Sequence, residues 1–337
     1  MAIITTTAAM GQSLGNDLVK NATVAWHEGL DMVPYAARAV FNETVTEAKT
    51  SEHSSIDFTP IARKTSESNP YADVNPTQAD TLNLTQAKFT ASTELSKEIL
   101  MYDKYSKVRE LVKMQGLGKA CPTRIEMDLQ HFIMTYGFGS SYTSIDGDTI
   151  STTSADGLSV FNSAHTINGG SGTYSNTHST SFGQTGLETA EGKVLNYLDH
   201  QGNAFGAFLR FDTIITTPKP TVVNLVKEYN KGMNHIEDTA RGINVYQGMY
   251  NHVVFAFGNT QVNASSGTVT NDSTKDFYWV LASLENNHNL LLEISQMPKL
   301  YEPQLVQRTR DILFQTDAHY AYGVLDPKCL VGSNATS

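Results

Sequence analysis

Asp156, Ser159, Ser163 and His165 fall within one short stretch of this chain. An acid, a hydroxyl and an imidazole are the parts of a nucleophilic hydrolase, where the histidine takes the hydroxyl proton and the acid orients the histidine. Closeness along the chain is poor evidence for that geometry, because a triad is recognised by spatial roles. The same stretch, Ala155-Asp-Gly-Leu-Ser-Val-Phe-Asn-Ser-Ala-His165-Thr166, also reads as an Asp-Gly turn feeding a short strand through Val160 and Phe161. Glu94 with Glu98, and Glu188 with Glu191, could act as paired carboxylates, yet as solvated charges on helix edges they need no chemistry. None of the ten histidines forms His-x-x-x-His or sits at metal spacing from a cysteine. Asp311 and Asp317 show no metal-binding spacing either. Gly169-Gly-Ser-Gly172 lacks the Lys-Ser/Thr of a phosphate cradle and reads as a turn. There is no Gly-x-Ser-x-Gly elbow and no dinucleotide fingerprint. The residues therefore nominate no catalytic, cofactor-binding or metal position.

The 337 residues are 40% hydrophobic, enough for one large core or two moderate ones. Only 17% are charged, against a usual value of about 25%. A surface rich in small polar groups suits packing against neighbours, since few ions need desolvating. The net charge of −10 argues against a basic nucleic-acid patch as the main function. Cys121 and Cys329 are far apart, and reduced thiols are the simplest reading. No run reaches the ~18 apolar residues of a membrane span, and the N-terminus lacks the pattern of a signal peptide.

Elements can be placed along the chain from periodicity. Leu18 to Met32 has helical spacing with Pro34 as a break, and Ala36 to Val45 reads as a short helix or strand. Residues 50–87 are polar and contain Pro60, Pro70 and Pro76. Alternation over Ile56–Ile61 and Leu82–Ala87 predicts two paired arms, with 63–80 as the tip of a protruding hairpin. A strand follows from Lys88. Asp103 suits the N-cap of a helix, which Gly116 and Gly118 weaken. A second helix is predicted to begin near Pro122 and to carry Ile125, Leu129, Phe132, Ile133 and Tyr136 on one face. Together they form a nearly continuous helical spine over 103–137. Helices are predicted near 187–200 and 222–229, and a strand at 211–217. Val253–Phe257, Phe277–Leu281 and Leu290–Ile294 read as buried strands. Period-two strands then close the chain near Leu330. The fold class is α+β.

The order of these elements resembles the major capsid protein of tailed bacteriophages with the HK97-type fold, nearest to the Mu-like major head subunit type. Phe89-Thr-Ala-Ser-Thr-Glu-Leu-Ser-Lys-Glu-Ile-Leu-Met-Tyr-Asp-Lys-Tyr105 resembles the strand that enters the spine. Asp156, Gly157, Phe161 and His165 are similar to the family's turn after the spine. Leu187-Glu-Thr-Ala190 through Asp212-Thr-Ile-Ile-Thr-Thr-Pro218 resembles the opening of the axial domain. Trp279-Val-Leu and Asp317-Ala-His-Tyr-Ala-Tyr-Gly323 resemble the closing strands of the peripheral domain. The match covers roughly residues 30–325.

The resemblance implies an N-terminal arm and lead-in at 1–52, an extended E-loop at 53–88 and a spine helix within 100–137. It places the peripheral domain at 89–186, returning at 286–337, and the axial domain at 187–285. Such subunits self-assemble as pentamers and hexamers into an icosahedral head around double-stranded DNA, without sequence-specific binding, cofactor or membrane. The virion is the implied location, with assembly in the host bacterial cytoplasm. A portal is an implied partner, as is a decoration protein where one is used. Many relatives carry an N-terminal scaffolding segment; none precedes the recognisable elements here, so a separate scaffolding protein is expected. Lys64 lies in the loop, but no Asn partner or acidic catalyst is identified, so no covalent crosslink is expected. Candidate inter-subunit contacts are Arg63, Lys64, Glu67, Arg109, Glu110, Arg308 and Arg310. Two alternatives stay open at this point: an encapsulin-like compartment shell, and a hydrolase using Asp156 and His165.

Overall fold

The computed structural model describes residues 16–55, 61–62, 64–65, 71, 78, 80–95, 106–167, 172–199, 202–204, 206, 209–232, 244–284, 289–306 and 311–336; at 16–19, 21, 106–111 and 305 it describes the backbone only. The chain enters with α1 (Asn16–Asp31), β1 (Asn42–Val45), β2 (Thr50–Ser54), β3 (Thr81–Thr85) and β4 (Ala87–Leu95). The long α2 (Ser106–Gln130) runs on into a π-helical turn, His131–Thr135. Short strands β5 (Ser141–Thr143), β6 (Thr149–Ser151), β7 (His165–Thr166), β8 (Thr173–Tyr174) and β9 (Thr177–His178) lead to α3 (Gln184–Val194), β10 (Thr213–Thr216) and α4 (Pro220–Lys231). The remainder is β11 (Asn251–Val254), β12 (Thr260–Asn263), β13 (Thr268–Asn271), β14 (Trp279–Ala282), β15 (Leu290–Leu300), β16 (Gln304–Leu305), β17 (Ile312–Val324) and β18 (Leu330–Ser333).

Two five-stranded sheets organise these elements. The first is ordered β1-β15-β17-β16, with β4 also pairing β17; the second is β11-β10-β14-β18-β9. β14 shows why the second sheet is buried on both sides. Its side chains alternate between faces: Val280 and Ala282 join the core around α2 and the first sheet. Trp279 and Leu281 join a second core under α3 and α4, with Leu187, Val194, Val226 and Tyr229. All four residues of β14, and all four of β10, are buried.

The spine is one helix where the sequence predicts two. Pro122 lies inside α2, so the Gly118 carbonyl loses its intrahelical donor, at a typical cost of about 3 kcal/mol. Tertiary packing outweighs that cost. Met114, Leu117, Cys121, Ile125 and Leu129 are buried along one face. Gly118, one of the two glycines expected to weaken the helix, instead lets α1 approach it. A Cβ on Gly118 would lie 2.1 Å from the Trp26 carbonyl oxygen, and one on Gly29 would lie 2.2 Å from that of Gln115.

Three other sequence expectations need correction. The partner of β3 is 50–54 rather than 56–61: Thr50 stands opposite Thr85 and Ser54 opposite Thr81. Most of 56–61 lies outside the described residues. Val253–Phe257 is not a buried strand, because β11 ends at Val254 and, among the described residues, lies at the sheet edge with β10 as its single partner. The chain also does not close near Leu330. Leu330–Ser333 leaves the first sheet's strands behind and pairs with β14 and β9 in the second, fully buried.

Candidate functional site

Asp156 and His165 meet side chain to side chain. The Asp-Gly turn forms as the sequence requires: Gly157 takes φ +79, and its N–H donates to the Ser154 carbonyl at 2.9 Å. The turn carries Asp156 back towards β7, where its Oδ2 meets His165 Nδ1 at 2.6 Å. Oδ1 accepts from Ser154 Oγ at 2.6 Å and from the Leu158 N–H at 3.1 Å. Burial pushes the Asp156 carboxyl up, but the hydrogen bonds from His165 and Ser154 hold it below the usual carboxylate range. His165 is fully buried, with its ring stacked on Tyr174 at 5.1 Å between centroids.

This pair lacks the third member of a triad. His165 Nε2 faces the Val160 carbonyl at 3.3 Å instead of a hydroxyl. Ser159 Oγ donates to the Phe161 carbonyl at 3.0 Å. Ser163 is exposed, whereas His165 is fully buried. The imidazole therefore bridges the Asp156 carboxylate and the Val160 carbonyl, and neither of its nitrogens meets a nucleophilic hydroxyl.

What the stretch does is structural. Asn176, fully buried, donates to the Val160 carbonyl at 2.8 Å and to that of Pro327 at 3.3 Å, and its Oδ1 accepts from the Asn162 N–H at 2.8 Å. The Gly332 N–H donates to the Asn176 carbonyl at 2.8 Å. Phe161 lies against Gly332 so closely that a Cβ there would sit 2.6 Å from its ring. The segment after the spine is thus clamped to the last strand of the second sheet.

A second polar focus was not visible in the sequence. Glu293 interrupts the apolar run of β15 and is buried at 3% exposure. Its carboxylate accepts from Ser51 Oγ, pairs with His53 Nε2 at 2.7 Å and accepts from Gln86 Nε2 at 3.4 Å. These three partners all belong to the base of the β2–β3 hairpin. Leu82 and Leu84 of the same hairpin pack over Gly323 of β17, where a Cβ would lie 2.9 Å from both. The only sequence signal was a lone acid among Leu290, Leu291, Leu292 and Ile294.

Beyond its base the hairpin exposes apolar side chains: Ile61 is 57% and Tyr71 95% exposed. Lys64 is exposed there too. Arg63, Glu67, Arg308 and Arg310 lie outside the described residues, and at Arg109 and Glu110 only the helical backbone is described. Of the predicted contact residues, Lys64 alone has a described side chain. Glu188 and Glu191 serve separate partners, Gln184 and Tyr250. Among the described residues no group of His, Cys, Asp and Glu could hold a metal ion, and no helix is long and apolar enough to cross a membrane.

No protein-family model matches the chain, and no curated protein matches it. Solved structures do. The capsid of a native GTA particle, computed with C5 symmetry, superposes with a TM-score of 0.51 at 12% identity, over 91% of this chain and 92% of that one. A structure of Gordonia phage Cozz gives 0.50 at 13% identity, over 91% and 92%. The spine helix, the projecting hairpin and the two sheets are together the HK97-type capsid fold.

Proposed function

We propose that the chain is a shell subunit, the major capsid protein of a tailed bacteriophage. The observation that carries this reading is the fold, shared along nine-tenths of the chain with the GTA capsid protein. Two features of this chain support it. The acid–histidine pair is buried and bonded to backbone. The hairpin leaves the body with exposed apolar residues that a neighbouring subunit would cover.

In this reading the β2–β3 hairpin is the E-loop of residues 53–88, α2 is the spine, the first sheet belongs to the peripheral domain and the second to the axial domain of 187–285. β18 lends the axial sheet a strand from the C-terminal return. Copies join as pentamers and hexamers, and closed symmetry sums many moderate contacts into a stable shell. Arg63, Lys64, Glu67, Arg109, Glu110, Arg308 and Arg310 supply charge at those contacts. A separate scaffolding protein and a portal complete the head, which encloses double-stranded DNA without reading its sequence. Electron microscopy of the purified protein, with and without a scaffolding protein, tests the reading; shells found filled with a protein cargo would instead mark an encapsulin-like compartment.

A further inference from the structure

The β2–β3 hairpin touches the body through two kinds of contact. One is apolar: Leu82 and Leu84 against Leu291, Ala321 and Leu325. Apolar contact is non-directional, so it holds the hairpin down without fixing its rotation. The other is the Glu293 carboxylate, which receives Ser51, His53 and Gln86 at once. Hydrogen bonds to a carboxylate are directional and strong. Ser51 and His53 lie two apart on β2, so both point to the same face of the hairpin. Gln86 follows β3 and its N–H donates to the Lys49 carbonyl, closing the base from the other strand. Both strands are thus gripped by one buried acid on β15.

We propose that Glu293 is a latch that sets the angle at which the hairpin projects, and that opening it lets the hairpin turn as a unit while the body keeps its fold. Among the described residues β2 and β3 pair only with each other, so no ladder bond to either sheet opposes that turn. The backbone hinges are the links on either side, residues 46–49 and Gln86. Ser51, His53 and Glu293 act through the hairpin's position, as positioning residues. This step does not depend on the shell reading, and its test needs no shell.

The test is a spin-label distance measurement between Asn83→Cys on β3 and Lys227→Cys on α4, both exposed positions. Cys121 and Cys329 are buried and stay in place. The latch predicts a distance distribution at least two-fold wider in Glu293→Ala and in Ser51→Ala/His53→Ala than in the parent pair, with unchanged circular dichroism. The Ser51→Ala/His53→Ala variant changes no residue of β15 and keeps the Gln86 bond to Glu293, so it decides the matter even where Glu293→Ala fails to fold. An unchanged width in that double variant overturns the proposal. So does broadening in Glu293→Ala alone, which would place the effect of Glu293 in the body.

Discussion

Gly118 of the spine helix meets the Trp26 carbonyl of α1 backbone to backbone, with only 2.1 Å available for a Cβ. Gly118→Ala must therefore push the two helices apart, and overpacking of this kind costs about 1–3 kcal/mol. Gly116, two residues earlier, has nothing within 4 Å of its Cβ position. Gly116→Ala should stabilise the helix by about 0.5–1 kcal/mol, since alanine loses less freedom on folding. Urea titration of the two variants checks both signs.

The Asp156–His165 pair predicts a stability effect with a defined pH window. The folded-state carboxyl is held below its unfolded value, so its contribution is fully present above the ordinary carboxylate range and is lost as pH falls from there through the lowered folded-state value. Asp156→Asn should destabilise the protein at pH 7, by about 1–3 kcal/mol for a buried hydrogen-bonded group. It should also flatten the stability profile below about pH 4. Denaturant titrations between pH 7 and pH 3 read both effects.

Two histidines, His131 fully buried and His178 half-buried, predict sensitivity in a milder range. Burial lowers His131 to about 3 and His178 to about 4, helped by Lys275 and Lys193 respectively. The unfolded chain takes up these protons near pH 6.5. The folded state resists them, so stability declines as pH drops from about 6.5 towards those lowered values. For His131 the loss between pH 7 and pH 5 is about 2 kcal/mol. His131→Gln should remove most of that slope, and nuclear magnetic resonance should show a neutral imidazole at pH 5 in the parent protein.

Deletion of residues 62–80 removes the outer part of the hairpin and spares its paired base, Thr50–Ser54 with Thr81–Thr85. Lengthening or shortening such a loop changes closure entropy only slightly. The variant should fold with a melting temperature within a few degrees of the parent and fail to form shells. Loss of folding would show that the segment belongs to the core.

The parts legible in sequence are those with a local cause. The stripe of Ile125, Leu129, Phe132 and Ile133 marks the spine, Thr213-Ile-Ile-Thr216 marks a central strand, and Asp156-Gly157 marks the turn. The parts that were not legible depend on distant partners. Pro122 reads as a helix start until α1 is packed against Gly118 before it. Glu293 reads as an oddity until Ser51, His53 and Gln86, more than 200 positions away, reach it. The β12–β13 hairpin was missed despite a local signal: Gly267, at φ +62, follows Ser265-Ser266 between two alternating runs. β18 reads as the end of the preceding strands because nothing in Leu330-Val-Gly-Ser333 says which sheet it joins.

The central claim is that copies of this chain close into a shell. Cryo-electron microscopy of the purified protein, alone and co-expressed with a scaffolding protein, measures this directly. The account predicts closed icosahedral particles with pentamers and hexamers whose projecting hairpins lie across neighbouring subunits. A protein that stays monomeric under every assembly condition, with and without the scaffold, would contradict it.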